Sequence, residues 1–107
     1  MSGRNRQPAQ KSKLPRQSEK SWQRQVVDLA GRLGWRSYHT WISVHSAAGF
    51  PDLVLVRRPR LLFVELKSDA GTVSEAQAAW LYELGQCGQE VYVWRPRDLD
   101  EVTRVLR

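Results

Sequence analysis

The chain has little with which to cross-link itself: one cysteine and two histidines in 107 residues. Cys87 has no internal partner, so a disulfide framework is excluded, and without a second cysteine or a clustered histidine a zinc site of the usual spacing is excluded too. Cys87 is expected instead to be a small buried apolar residue near a helix end. No apolar run approaches the ~20 residues of a membrane span, and the apolar core of a secretory signal is missing. The protein is therefore expected to be soluble and intracellular, with no membrane partner. Acidic residues are absent from the first 17 positions, where Arg4, Arg6, Lys11, Lys13 and Arg16 carry five of the six net positive charges. Residues 18–107 are nearly neutral, with twelve basic against eleven acidic side chains.

The basic stretch 1–17 offers almost no apolar surface beyond Leu14, too little to offset the entropy of ordering it, and is expected to be a disordered tail. From Ser18 onward the composition suits one domain with one modest core, spanning 18–107. Trp22, Val26, Val27, Leu29, Ala30 and Leu33 recur at helical spacing and Gly34 supplies a stop, which predicts a helix over 18–33. Residues 35–44, WRSYHTWISV, alternate as a half-buried strand does. DLVLV and LLFVELK, separated by Arg57, Arg58, Pro59 and Arg60, read as two strands joined by a tight connection, and their apolarity on both faces predicts cover on both sides. Ser74 and Gln77 form a capping box ahead of a helix ending near Gly88. Residues 91–94 make a short strand, Pro96 ends it, and Asp98 with Glu101 offers a second capping box before a last helix. The expected fold is α/β, in the order α-β-β-β-α-β-α, with a mixed sheet flanked by helices.

Three charged residues interrupt the apolar strand pair. Glu65 and Lys67 are two apart, so they leave the same face of their strand. A short hairpin sets Asp52, at the start of one strand, beside the end of the next. Two carboxylates so placed repel each other and lose hydration, costs that a divalent cation between them removes. Oxygen ligands favour Mg²⁺ or Mn²⁺ over zinc. Such an ion polarises a phosphoryl oxygen, and a neighbouring lysine can orient or deprotonate water, which together point to phosphodiester hydrolysis. The plainer alternative is a solvated Glu–Lys pair at a strand end and a turn aspartate after Pro51.

These residues resemble the PD-(D/E)XK nuclease superfamily, with Pro51-Asp52 as the PD and Glu65-Leu66-Lys67 as the E-x-K, and with a restriction-endonuclease-like α-β-β-β-α-β core. Closer still, Gly49 to Leu53, Val64 to Lys67, Ser74 to Trp80 and the leading Trp22-Gln23 are similar to the VRR-NUC branch. The resemblance implies that Asp52 and Glu65 hold Mg²⁺ or Mn²⁺ with the Leu66 carbonyl, that Glu19 adds an acid from the first helix, and that Lys67 serves the attacking water. Gln77 matches a polar position of the helix after E-x-K, although its capping role explains it equally well. Arg57, Arg58 and Arg60 form either a phosphate clamp or a solubilising hairpin tip. Ser46 contacts phosphate or holds its turn. His39 and His45 lack a metal-binding pattern and fit surface or hydrogen-bonding roles better. Trp22, Trp35, Trp41, Trp80 and Trp94 fit core or dimer contacts better than base-stacking platforms.

The resemblance implies a metal-dependent DNA endonuclease of branched or junction DNA, with the tail adding salt-dependent affinity. A homodimer through the apolar strand 35–44, in the cytoplasm of a bacterial or phage-infected cell, is the expected setting. The alternatives are a dedicated Holliday-junction resolvase and a non-catalytic DNA-binding module.

Overall fold

A hairpin forms the centre of the sheet. The structure, a computed structural model, describes residues 17–40 and 46–107. The basic tail up to residue 16, Trp41, His45 and the second half of the strand expected over 35–44 lie outside the described residues. Strands β1 (Arg36–His39), β2 (Leu53–Arg57) and β3 (Arg60–Leu66) pair antiparallel in succession, and β4 (Glu90–Trp94) joins β3 in parallel. The order β1-β2-β3-β4 makes a mixed sheet, and the parallel step is bridged by helix α2 (Glu75–Gln86) as a βαβ crossover requires. Helix α1 (Glu19–Arg32) precedes the sheet, and a 3₁₀ turn (Pro96–Asp98) leads into α3 (Leu99–Leu106).

One face of the sheet carries the core. Leu53, Leu55, Leu62, Val64 and Leu66 point one way, with Trp94 of β4, and meet Trp22, Val26 and Ala30 of α1 and Val102 and Leu106 of α3. Ser18 caps α1 by accepting from Ser21 N at 3.0 Å. Gly34 ends it with φ +90°, a left-handed turn that other residues adopt only with strain. The Trp22 indole N–H donates to the Trp94 carbonyl at 2.9 Å, and that carbonyl also accepts from Lys67 N at 3.1 Å. A single oxygen thus ties α1 to the end of β3 and to β4.

The opposite face is covered only in part, which corrects the expectation of cover on both sides. Helix α2 reaches it through Trp80, whose ring stands edge-on to Phe50 at 5.0 Å, with Phe50 in turn edge-on to Phe63 at 6.0 Å. Toward β1 the helix runs out, and Tyr38, Val56 and Leu61 are exposed. A single helix of 12 residues leaves this part of the four-stranded face open.

Two local readings also change. Asp98 does not cap α3 as a box with Glu101. Its carboxylate accepts from Arg95 N at 2.8 Å and so closes the 3₁₀ turn that Pro96 begins. Cys87 stands at the C-terminal end of α2 but is exposed rather than buried, because that end of the helix faces solvent.

Candidate active site

The hairpin register decides which charged groups meet. Leu53 pairs with Val64, so Asp52 and Glu65, one step further along, stand opposite each other at the open end of the β2–β3 pair. The Glu65 side chain, between the inward Val64 and Leu66, leaves the face opposite the core. Gly49 sets the approach to this point: its φ is +93°, and a Cβ there would lie 2.5 Å from the Ala76 backbone at the start of α2. Only glycine lets the chain turn so tightly against the helix before entering β2. Pro51 behind it is fully buried.

Asp52 is held by the main chain it faces, its Oδ2 accepting from Leu66 N at 2.9 Å. Glu65 is 1% exposed, and neither of its carboxylate oxygens has a hydrogen-bond partner. Lys67 Nζ lies 3.6 Å from Glu65 Oε2, near enough to attract and too far to donate a hydrogen bond. Burial first, and the neighbouring Asp52 charge second, push the Glu65 carboxyl up to about 8, with Lys67 offsetting only part of that rise. As a carboxylate, Glu65 is costly in this place unless a cation satisfies its oxygens; without one, keeping the proton is the way it avoids that cost. Hard oxygen donors on two facing strands fit a Mg²⁺ or Mn²⁺ ion in charge and chemistry.

Glu19 opens α1 and lines a cleft of about 430 Å³ together with Lys20, Gln23, Thr40 and Asp52. It therefore shares a surface with one of the two acids. Among the described residues, however, no three acidic, histidine or cysteine side chains are close enough to form a metal-holding group. The Leu66 main chain is at the site through the N–H that Asp52 accepts. Gln77 spends its amide oxygen on Ser74 N at 2.9 Å, completing the capping box with the Ser74 hydroxyl, so the helix start accounts for this residue.

The arginines read as either a phosphate clamp or a hairpin tip lie away from the acids. Arg57 and Arg60 sit at the closed end of the hairpin, ~17 Å from Asp52 at ~3.3 Å per residue of strand. Arg57 donates to the carbonyls of Leu33, Leu106 and Arg107 at 2.8, 3.0 and 2.8 Å. Arg60 makes a double contact with Glu90 at 2.8 and 2.9 Å and donates to the Val105 carbonyl. Both guanidinium groups lie over the Trp35 ring, at 4.6 and 5.2 Å from its centre. This end of the molecule is knitted together by arginine, and of the three only Arg58 is exposed at the tip. Ser46 lines a different cavity, with Tyr38, Thr40, Phe50 and Trp80. Trp22, Trp35 and Trp94 are core residues, and Trp80 is half-buried against Phe50.

Sequence reasoning gave no site role to several residues. Lys20, Gln23 and Arg24 line a hollow with Val27 and His39, next to the acid cleft. Their spacing of three and four along α1 was the available signal, a polar and basic stripe beside the apolar one. Arg95 donates to the carbonyls of Ser68 and Gly71 at 2.7 and 2.6 Å and so pins the loop that comes after Lys67. Nothing local in the sequence announces that contact.

A mixed sheet with a proline-introduced aspartate facing an E-x-K strand end is consistent with the PD-(D/E)XK superfamily. The VRR-NUC domain model matches residues 4–98, and the chain belongs to the VRR-NUC family of nuclease domains. Among solved structures, a VRR_NUC domain protein is similar with a TM-score of 0.69 and 21% identity, over 86% of this chain and 87% of that one. A second VRR_NUC domain gives 0.67 and 21%, over 80% and 94%. Hjc of Archaeoglobus fulgidus, a Holliday junction resolvase, shares the fold with a TM-score of 0.55 and 22% identity, over 71% of this chain and 67% of that one. Comparison with curated protein sequences gives no match.

Proposed function

We propose that the protein is a divalent-metal-dependent DNA endonuclease that hydrolyses phosphodiester bonds in branched or otherwise irregular DNA. The observation that carries this reading is Glu65: buried at a strand end, opposite Asp52, with both oxygens lacking hydrogen bonds. A protein gains nothing in stability from such a group, and a cation site for catalysis explains it. Asp52 and Glu65 would hold the ion, joined by the Leu66 carbonyl. When bound, Mg²⁺ or Mn²⁺ supplies Lewis-acid polarisation of a phosphoryl oxygen and favours the hydroxide form of nearby water. Lys67 directs that water toward phosphorus and compensates the charge that grows as the new P–O bond forms and the ester P–O bond breaks. Lys20 and Arg24, beside the acid cleft, bind the phosphate backbone.

The preference for branched DNA draws support from the fold shared with a Holliday junction resolvase. A homodimer, through the open sheet face at Val56 and Leu61, would present two such sites to two strands.

The test is cleavage of labelled four-way junction, flap, single-stranded and duplex DNA with Mg²⁺, Mn²⁺ or EDTA, for the wild type and Lys67→Ala. Metal-dependent cutting that falls by ~100-fold or more in the variant, with DNA affinity kept, is the expected result. Paired symmetrical nicks on the four-way junction would single out a dedicated resolvase. DNA bound and never cut, under either metal, would overturn the nuclease in favour of a non-catalytic binding module.

A further inference from the structure

Beside the acid pair, on the α2 side of the sheet end, lies a cavity of about 320 Å³ that hydrolysis at Asp52 and Glu65 does not require. Its walls are Phe50 and Trp80, with Tyr38 at the rim and the hydroxyl-bearing Thr40 and Ser46 between them. Thr40 belongs to both spaces: it lines the acid cleft with Asp52, and its N–H donates to the Asp52 carbonyl at 3.3 Å. The cavity therefore adjoins, through Thr40, the cleft that Asp52 lines.

The aromatic walls are fixed in advance. Trp80 donates its indole N–H to the Ala48 carbonyl at 3.1 Å and stands edge-on to Phe50 at an interplanar angle of 81°. Gly49, pressed against Ala76, fixes the loop that carries Phe50. Tyr38 is left 66% exposed at the mouth of this cavity rather than turned into the core. Rigid π-surfaces with hydroxyl groups at their edge match a flat heterocycle bearing polar edges, and the chemistry next door selects which one. We infer that this cavity accepts one unpaired nucleobase of the nucleotide next to the scissile phosphate, stacked against the aromatic wall and covered by Tyr38.

A base inside a duplex has both faces covered by its neighbours and cannot enter, whereas an unpaired or displaced base can. The inference rests on the nuclease reading and deepens it: the substrate class becomes DNA with an unpaired nucleotide at the cut, as at a bulge or a branch point. Selection then comes from base exposure and not from base sequence, because every base has a π-face.

The experiment uses the full chain and three duplexes: one with a single bulged 2-aminopurine, one with an abasic residue at the bulge, and one fully paired. Binding is read from 2-aminopurine emission with EDTA or Ca²⁺, and cutting is read with Mg²⁺ or Mn²⁺. The wild type should quench the bulged base and bind the base-bearing bulge about tenfold more tightly than the abasic one. Tyr38→Ala, which removes an exposed ring and no core contact, should restore emission and bring that ratio near one. Tyr38→Phe should keep the quench and the ratio, and light scattering should show both variants at wild-type mass. Equal affinity for base and abasic bulges, or a loss in Tyr38→Ala that falls equally on all three duplexes, overturns the inference. Quenching without any cutting would leave the cavity assignment standing and the nuclease reading fallen. Cutting with no dependence on the bulged base would do the reverse.

Discussion

Lys67 Nζ stands 3.6 Å from Glu65 Oε2, and this approach does not rescue the carboxylate from its surroundings. An ion pair ordinarily lowers a carboxyl pKa. Here burial and the facing Asp52 prevail, and Glu65 is pushed up to about 8. The apolar strand hides the charge from water more effectively than one ammonium group, itself unable to hydrogen-bond at that distance, can compensate. The site is thus unfavourable to folding in its metal-free form, and its unfavourable part sits on one residue.

Stability should depend on pH through this residue. Unfolded, the carboxyl titrates near its ordinary 4.5; folded, it holds its proton until about 8. Its contribution is fully present below the unfolded value and is lost as the pH rises through the folded one. In the metal-free protein, Glu65→Gln should therefore match the wild type at the acid end and exceed it by on the order of a few kcal/mol once the pH passes 8. Urea unfolding in EDTA, from about pH 5 to about pH 9, measures this difference. Parallel profiles for the two proteins would show that Glu65 is open to water.

Cation binding should report on the same proton. Mg²⁺ or Mn²⁺ must take Glu65 as a carboxylate, so binding at neutral pH should release close to one proton, and the release should fade above the folded pKa. Calorimetry in two buffers of different ionisation heat gives that count directly. Saturating metal should also raise the unfolding temperature at neutral pH, by an amount equivalent to about 2.7 kcal/mol when the ion is at a hundred times its Kd. Asp52→Asn should remove most of the metal-dependent shift, and an unchanged shift would place the cation elsewhere.

The hairpin is legible because its information is local. A polar interruption in an apolar run, a short connection and alternation along the strand are enough to put Asp52 opposite Glu65. The fold order is legible for the same reason, as is the Ser74 cap. Arg57 and Arg60 were harder, because their partners Leu33, Trp35, Glu90, Val105 and Leu106 are far away in sequence and only the folded sheet gathers them. Beside Pro59 they look like a solvated tip. Asp98 misleads differently: the spacing to Glu101 is right for a box, but the 3₁₀ turn begun by Pro96 claims its side chain first. Val56 and Leu61 sit in runs that are apolar throughout, and no periodicity tells how far a single helix will reach across the sheet.

The two groups of basic residues should now separate by experiment. Arg57 closes the C-terminal ends of α1 and α3, where carbonyls lack helical partners and the helix dipole favours a cation. Arg57→Ala should cost about 2–3 kcal/mol in urea unfolding and leave DNA affinity at fixed salt unchanged. Lys20→Ala with Arg24→Ala, both on the surface of α1, should do the opposite. Stability should stay within ~0.5 kcal/mol, while the slope of log Kd against log salt falls by about two. A DNA defect in Arg57→Ala of the same size would return the hairpin tip to the binding surface.

The open sheet face gives the last prediction. Val56 and Leu61 are directly paired across β2 and β3, and both side chains are more than a third exposed. An apolar patch on an antiparallel face invites a second copy of the same patch, and a two-fold arrangement satisfies both at once. Wild-type protein at micromolar concentration should therefore scatter light as a dimer. Val56→Glu places a like charge on both sides of the two-fold and should give the monomer mass without loss of fold, since the side chain already meets water. If the wild type is monomeric at that concentration, any second cut must come from a second binding event, and cleavage of the two strands should then proceed in separate, dilution-sensitive steps.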